Sequence, residues 1–281
     1  MSFLDRIAEC NAHDLGRFAP FVIDGERFGW VKRPFARRLA AFPETFIVTG
    51  DGVALAPKLR SFYERSSAVD VVLRRLAADG AVPAWRGEMY PVARGFGAEP
   101  LLQMERAAIP LFGVRSYGVH VNGFVREGGR LGMWIARRAK DKPTYPGMLD
   151  NFVAGGQPIG LGLKENVVKE CGEEAGVPPE LAARAVAVGA IGYCHETADG
   201  LKPDVQFVYD LELPPGFTPR PCDGEIDDFY LWPVERVMTV TRDSAEFKFN
   251  CNLVNIDFFV RHGLLDPEDP DYLAIVAGLW R

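Results

Sequence analysis

GGQPIGLGLKENVVKECGEEAGV, Gly155 to Val177, begins with a glycine pair and ends with three glutamates, Glu170, Glu173 and Glu174, that a helix would bring to one side. At about 100° per residue, Glu173 lies about 60° to one side of Glu170 and Glu174 about 40° to the other, so the three share an arc of roughly 100°. Like charges this close repel unless something neutralises them. Hard divalent cations such as Mg²⁺ or Mn²⁺ prefer carboxylate oxygens, so Glu170, Glu173 and Glu174 form a candidate metal site. Val167, Val168, Cys171 and Ala175 make an adjoining apolar stripe, and Gly176 stands where a left-handed cap would end the helix. The plainer alternative is that this acidic face is only solvated.

The context of the glutamates argues for the metal site. The segment resembles the Nudix box, G-x5-E-x7-R-E-U-x-E-E-x-G-U with U apolar. Gly155 matches its first glycine, Glu170, Glu173 and Glu174 its last three glutamates, Gly176 its last glycine, and Cys171 and Val177 its apolar positions. Two positions depart from the pattern: Leu161 stands at the first glutamate and Lys169 at the arginine. Lysine keeps the charge and can reach Glu173 at i+4, but it lacks the bidentate fork of a guanidinium. The family's first glutamate supports the loop or a metal ion. Glu165, the nearest acid, would point about 140° away from Glu170 on a helix.

The flanks read as a Nudix domain would. Tyr117 to Val125 reads as a strand, Glu127-Gly128-Gly129 as a turn and Leu131 to Arg138 as the returning strand. After a loop, Leu149 to Ala154 leads into the glycines. Pro178-Pro179 ends the box helix, and a second helix is expected over Glu180 to Val186. Strands are expected at Ala187 to Tyr193, at Val205 to Leu213 with Val205, Phe207, Tyr209 and Leu211 alternating, and at Glu225 to Val234. The fold expected is α+β: a Nudix α/β/α sandwich with a mixed sheet, preceded by a smaller α+β domain. The boundary is placed near Ile109-Pro110, giving an accessory domain over 1–112 and a Nudix domain over 113–281. In the accessory domain, Ser2 to Asn11 reads as an amphipathic helix, Phe21 to Val31 as a hairpin about Asp24-Gly25, and Val53 to Ala78 as two helices broken near Ser66.

YPGMLDNFVAGGQPIGLGLKEN, FVYDLELP, DGEIDDFYLWPVE and FNCNLVNIDFFVRHG are similar to a narrower Nudix branch. It forms the front half of some fungal thiamine pyrophosphokinases and also occurs in stand-alone plant and bacterial proteins. That resemblance implies hydrolysis of a small-molecule diphosphate, with damaged (oxo and oxy) thiamine diphosphates as the substrate class and a monophosphate as product. Two other readings stay open: a Nudix hydrolase of nucleoside diphosphate derivatives, dinucleotides or prenyl diphosphates, and a Nudix-like module that binds its ligand without turnover.

At 281 residues and 48% hydrophobic, the chain can bury one large core or two modest ones. A net charge of −6 with no basic run argues against nucleic acid as a partner. No segment approaches the ~20 apolar residues of a membrane span, and the acidic, polar amino end is unlike a signal sequence, so the cytoplasm is expected. The partner expected is a small-molecule diphosphate, with a homodimer as the candidate assembly. Five cysteines lie scattered without zinc spacing and read as reduced thiols, Cys171 and Cys251 in cores.

Glu225 is the candidate base, since a carboxylate beside bound Mg²⁺ could orient the attacking water; Asp227 and Asp228 compete with it, and all three could instead solvate an edge strand. Gly155 and Gly156 would let the backbone approach the ligand closely. Arg137 and Arg138, with Lys140 and Lys142, are the densest local positive charge and could hold diphosphate oxygens. Trp134, Tyr145, Phe152 and Trp232 could stack on a flat heterocycle or fill cores. Cys194-His195-Glu196 fails as a nucleophile and base pair because neighbours on a strand point to opposite faces. His120 reads as a packed histidine and His262 as a helix terminus.

Overall fold

A capping box starts the first helix: Ser2 Oγ accepts from the Asp5 amide at 3.2 Å, and Asp5 accepts from the Ser2 amide at 2.7 Å. That helix, α1 (Phe3–Cys10), is followed by the hairpin β1 (Phe18–Ile23) and β2 (Glu26–Lys32). Asp24 and Gly25 turn it with φ of 51° and 81°, the two left-handed conformations a tight hairpin needs. After α2 (Arg33–Leu39), β3 (Phe46–Val48) and β4 (Val53–Leu55) join the hairpin in a sheet of order β2-β1-β4-β3. The computed structural model describes residues 1–280.

Val53 to Ala78 does not form two helices. Val53–Leu55 joins the sheet as β4, and α3 (Phe62–Ala78) runs unbroken through Ser66, whose hydroxyl accepts from the Gln103 amide at 3.0 Å. A partner across the core removes the reason for the helix to break there. A two-stranded ribbon, β5 (Met89–Val92) and β6 (Leu102–Glu105), and the short α4 (Ile109–Phe112) complete this unit around Phe21, Phe46, Phe112, Leu73 and Met104.

The second unit is a mixed sheet between helical layers. Its strands are β7 (Tyr117–Glu127), β8 (Arg130–Arg138), β9 (Leu149–Asp150), β10 (Val153–Gly156), β11 (Val186–Gly192), β14 (Val205–Glu212) and β15 (Ile226–Pro233), with the small ribbon β12 (His195–Glu196) and β13 (Leu201–Lys202) apart. The order is β11-β14-β7-β8-β15, with β10 on β7 and β9 on β8; β14 runs parallel to β7 and the other pairs are antiparallel. Alternation divides each strand between two cores. Val119, Val121, Tyr209 and Leu211 face α5 (Leu163–Ala175) and α6 (Pro179–Ala182), while Phe124, Val208 and Ile135 pack on α7 (Val234–Asp243), α8 (Cys251–Arg261) and α9 (Tyr272–Leu279). The helix expected over Glu180 to Val186 is shorter than its sequence suggests, because Val186 pairs with Asp210 as the first residue of β11.

The first helix crosses the chain's division. Phe3, Ile7 and Cys10 lie in the core built by α7, α8 and α9, and Phe3 meets the Phe259 ring at 5.9 Å. A division at residue 112 therefore stands as our proposal with α1 seated on the far unit. The Ile159 amide donates to the Met89 carbonyl at 3.0 Å, tying the loop after β10 to β5.

Candidate active site

The site begins where α5 lies across β10. Val167, Cys171 and Ala175 are fully buried against the sheet, and Gly176, at φ 63°, lets the Val177 amide return to the Cys171 carbonyl at 3.0 Å. That inward stripe decides where the acidic residues go. Glu174 is 6% exposed, and among the described residues its carboxyl has one hydrogen bond, from the Ala154 amide at 3.1 Å. Burial holds its carboxyl well above the usual range, and Asp150, Glu170 and Glu225 push the same way against that single donor. Glu170 is half-buried and raised, burial outweighing the neighbouring Lys169 ammonium.

Glu173 turns to solvent. Lys169 sits between it and Glu170, at 2.7 Å from one carboxylate and 3.1 Å from the other, so the lysine at the box arginine position supplies the neutralising charge. Among the described residues, the one trio whose ligand atoms all lie within 4.8 Å is His120, Asp150 and Cys251, not the box glutamates. That trio suits a cation poorly: Arg138 Nη1 is 2.8 Å and Lys248 Nζ 3.7 Å from the Asp150 carboxylate, two positive charges already in place. Burial lowers His120 to about 4 and raises the Cys251 thiol. The box glutamates fit a hard cation better. Glu174 and Glu170 offer oxygens only, and the raised carboxyl of Glu174 has a single protein donor to stabilise its charged form.

Both glycines are there because something else occupies the space. A Cβ on Gly155 would stand 2.3 Å from Glu170 Cδ, and one on Gly156 would stand 1.5 Å from the Tyr90 hydroxyl. The loop that follows is held by two amides that the sequence pattern did not single out. Asn166 Nδ2 donates to the Gly156 carbonyl at 2.8 Å and to Gln157 Oε1 at 3.0 Å, and Gln157 Nε2 donates to the carbonyl of Leu161. Where the box pattern has a glutamate, this chain braces the loop with amides and uses the backbone of Leu161. A signal was available: Asn166 is a polar residue one turn before Glu170, on the buried side of the helix.

Between the two units lies a cavity of about 360 Å³, bordered by Gly155, Gly156 and Glu225 on one side and by Arg86, Tyr90 and Arg106 on the other. Glu225 is ion-paired with Lys142; burial alone would raise its carboxyl, but Lys142, then Arg106 and Arg86, bring it below the usual range. It is therefore ionised at neutral pH and able to accept a proton. Asp227 and Asp228 are exposed on β15.

Arg137 and Arg138 part company, as neighbours on a strand must. Arg138 borders the cavity, but its donors are taken by Asp150 at 2.8 Å and by the Tyr145 and Thr144 carbonyls at 3.0 and 2.9 Å. Arg137 does not border it; its guanidinium donates to the Gly147 carbonyl and lies over the Tyr230 ring. Of the four candidate aromatics, Tyr145 reaches the cavity, while Trp134, Phe152 and Trp232 fill cores. His195 meets the Glu9 carbonyl at 2.9 Å and Glu196 pairs with Lys32 and Arg17, so both tie units together.

A family model described as a domain of unknown function (DUF4743) matches residues 2–116. Nudix hydrolase 24, chloroplastic, of Arabidopsis thaliana is 45% identical over 99% of this chain and 77% of its own length. Nudix hydrolase 20, chloroplastic, of the same plant is 43% identical over 99% and 77%. Among solved structures, the Nudix domain of Shewanella oneidensis NrtR complexed with ADP ribose aligns with a TM-score of 0.42 at 17% identity, over 55% of this chain and 91% of that one.

Proposed function

The chain belongs to the Nudix hydrolases, enzymes that hydrolyse phosphoric anhydrides, and from that premise we propose that it cleaves a small-molecule diphosphate in a metal-dependent reaction. The observation that carries this reading is the buried Glu174 carboxylate, nearly unpartnered, beside Glu170 and close to a cavity rich in positive charge. Glu170 and Glu174, with Glu173 at the rim, would hold Mg²⁺ or Mn²⁺. When bound, such an ion supplies charge compensation to diphosphate oxygens and lowers the barrier for attack at phosphorus.

The chain's own residues do the rest. Glu225, ionised and facing the cavity, accepts the proton of a water that attacks one phosphorus, and the bridging P–O bond breaks to give a monophosphate and inorganic phosphate. A box glutamate is the other candidate for that proton. Lys142, held against Glu225, keeps it charged, and Gly156 carries no side chain, which leaves room for the Tyr90 hydroxyl at the cavity wall.

For the substrate, we propose damaged thiamine diphosphates, the oxo and oxy forms. The similarity of four sequence segments to that Nudix branch supports this class, as do the tyrosines Tyr117, Tyr145 and Tyr193 around the cavity, which suit a flat heterocycle. A phosphate-release screen with Mg²⁺ or Mn²⁺ over oxothiamine diphosphate, thiamine diphosphate, NADH and ADP-ribose tests it. The strongest turnover is expected with oxothiamine diphosphate. Faster hydrolysis of a dinucleotide or ADP-ribose would replace the substrate class, and thermal stabilisation by a diphosphate without any hydrolysis would replace the enzyme with a binding module.

A further inference from the structure

The positive charge around the cavity is unevenly committed. Every cation that the second unit contributes already faces a carboxylate: Lys142 with Glu225, Arg138 at 2.8 Å and Lys248 at 3.7 Å with Asp150, and Lys202 at 3.5 Å with Asp204. The first unit is different. Arg86 borders the cavity and its side chain has no ion pair among the described residues. Arg106 is ion-paired through Nη1 with Glu88, at 3.0 and 3.2 Å from its two oxygens, and its other guanidinium donors have no partner among the described residues. A dianionic or trianionic ligand entering this space would find, on this wall only, a guanidinium with no carboxylate partner among the described residues, Arg86, and beside it the free donors of Arg106, whose charge is shared with Glu88.

A hydroxyl on that same wall has no partner. Tyr90 is 4% exposed, borders the cavity, and carries a buried Oη with no hydrogen bond among the described residues. An unpaired buried hydroxyl is costly unless some other group completes it. Its surroundings aim it at the glycine bend: a Cβ on Gly156 would meet Tyr90 Oη at 1.5 Å and Arg106 Cζ at 3.4 Å, while the Arg106 guanidinium lies 5.7 Å from the Tyr90 ring centre. Backbone hydrogen bonding from Ile159 to Met89, the residue before Tyr90, fixes this approach.

We propose that Arg86, Tyr90 and Arg106 of the N-terminal unit are the phosphate-binding wall of the substrate site, so that the unit completes the active site. The inference rests on the reading of the site as one for a diphosphate. Charge geometry favours the diphosphate over the organic part of the ligand: two guanidiniums and one hydroxyl donate, and an oxyanion accepts from all three. The unit's contribution is substrate binding, while Glu170 and Glu174, which would hold the metal, both belong to α5 of the other unit.

Methylenediphosphonate, whose P–C–P bridge resists hydrolysis, is the probe, titrated with Mg²⁺ into the full chain by calorimetry. Arg86→Gln and Arg106→Gln should each weaken its binding on the order of tenfold or more, because each removes a charge-assisted contact. Arg106→Lys should recover part of the loss. Tyr90→Phe should weaken binding several-fold and raise the melting temperature of the ligand-free protein, since it removes an unpaired buried hydroxyl. Mn²⁺ affinity, measured without the probe, should not fall in any variant, and should rise modestly in Arg106→Gln, which removes a positive charge near Glu170; for a substrate that turns over, KM should rise more than kcat falls. A merely structural role would move the melting temperature and leave probe affinity alone.

If Arg106→Gln does not fold because Glu88 is orphaned, Arg86→Gln and Tyr90→Phe decide the matter. Wild-type affinity in both, or no binding of the probe to the wild-type chain, overturns the proposal while any measured hydrolysis keeps the enzyme reading intact. Probe binding that depends on these residues in a chain that hydrolyses no diphosphate keeps the wall and sinks the pyrophosphohydrolase.

Discussion

Gly155→Ala is a small change with a large expected effect on chemistry. The new Cβ would stand 2.3 Å from Glu170 Cδ, 2.4 Å from Cγ and 2.7 Å from Oε1. Ordinary carbon contacts are about 3.5 Å or longer, so the Glu170 carboxylate must retreat by roughly 1 Å. Gly155 does not hold a left-handed backbone, so alanine adds no conformational strain, and the Glu170 side chain, 15% exposed and already paired with the solvent-facing Lys169, can swing outward. The melting temperature should therefore shift by only about 3 °C or less. A displacement of about 1 Å in a group that orients the reaction costs on the order of 10²-fold in rate, equivalent to about 2.7 kcal/mol. The assay is metal-dependent phosphate release at saturating diphosphate, with Mn²⁺ binding measured in parallel. A double-mutant cycle isolates the cause: in a Glu170→Ala background there is no carboxylate to displace, so Gly155→Ala should add less than about twofold. Wild-type turnover in Gly155→Ala, or a second full loss in the double variant, would refute the steric account.

Other outcomes follow from the same geometry. Glu174→Gln should keep the fold and the acceptor for the Ala154 amide yet lose at least about 10²-fold in metal-dependent turnover, read by phosphate release. Because the Glu174 carboxyl is raised, its contribution to stability is present below the ordinary carboxyl value and is lost as pH rises through the folded value; in chelator, Glu174→Gln should melt higher than wild type at pH 8, and equal melting there would count against the burial argument. Asn166→Ala removes bonds to the Gly156 carbonyl and Gln157 and should cost about 2 kcal/mol in denaturant unfolding, with slower turnover as the loop loosens. His120 is buried neutral with its ring at about 4, whereas the unfolded chain takes up the proton near 6.5, so stability should fall between about pH 6.5 and 4 by up to roughly 3 kcal/mol. His120→Gln should flatten that stretch of the stability curve, and an unchanged slope in urea titrations would show that other groups carry it.

Much of the second unit could be read from one dimension because its signals are local. Val205, Phe207, Tyr209 and Leu211 alternate, and the strand found there follows them. Gly176 and Pro178-Pro179 end the box helix where backbone chemistry requires. Where reading failed, a distant partner had changed the local balance: Ser66 stays helical because Gln103 satisfies its hydroxyl, and Val186 leaves its helix to pair with Asp210. Arg137 and Arg138 looked alike as sequence, yet strand alternation sends only Arg138 to the cavity, and Asp150 already holds it.

From the amino-acid order alone came the acidic helix, the strands around it and the chemistry its carboxylates could serve, since helical angle and strand alternation depend only on neighbouring residues. Tertiary structure decided which glutamate is buried, which faces water with Lys169, and what else surrounds the site. Burial and charge compensation depend on groups far apart in the chain. Tyr90 meets Gly156, and Arg106 lies near Glu170 and Glu225, only because two units dock, and no periodicity within either unit encodes that meeting.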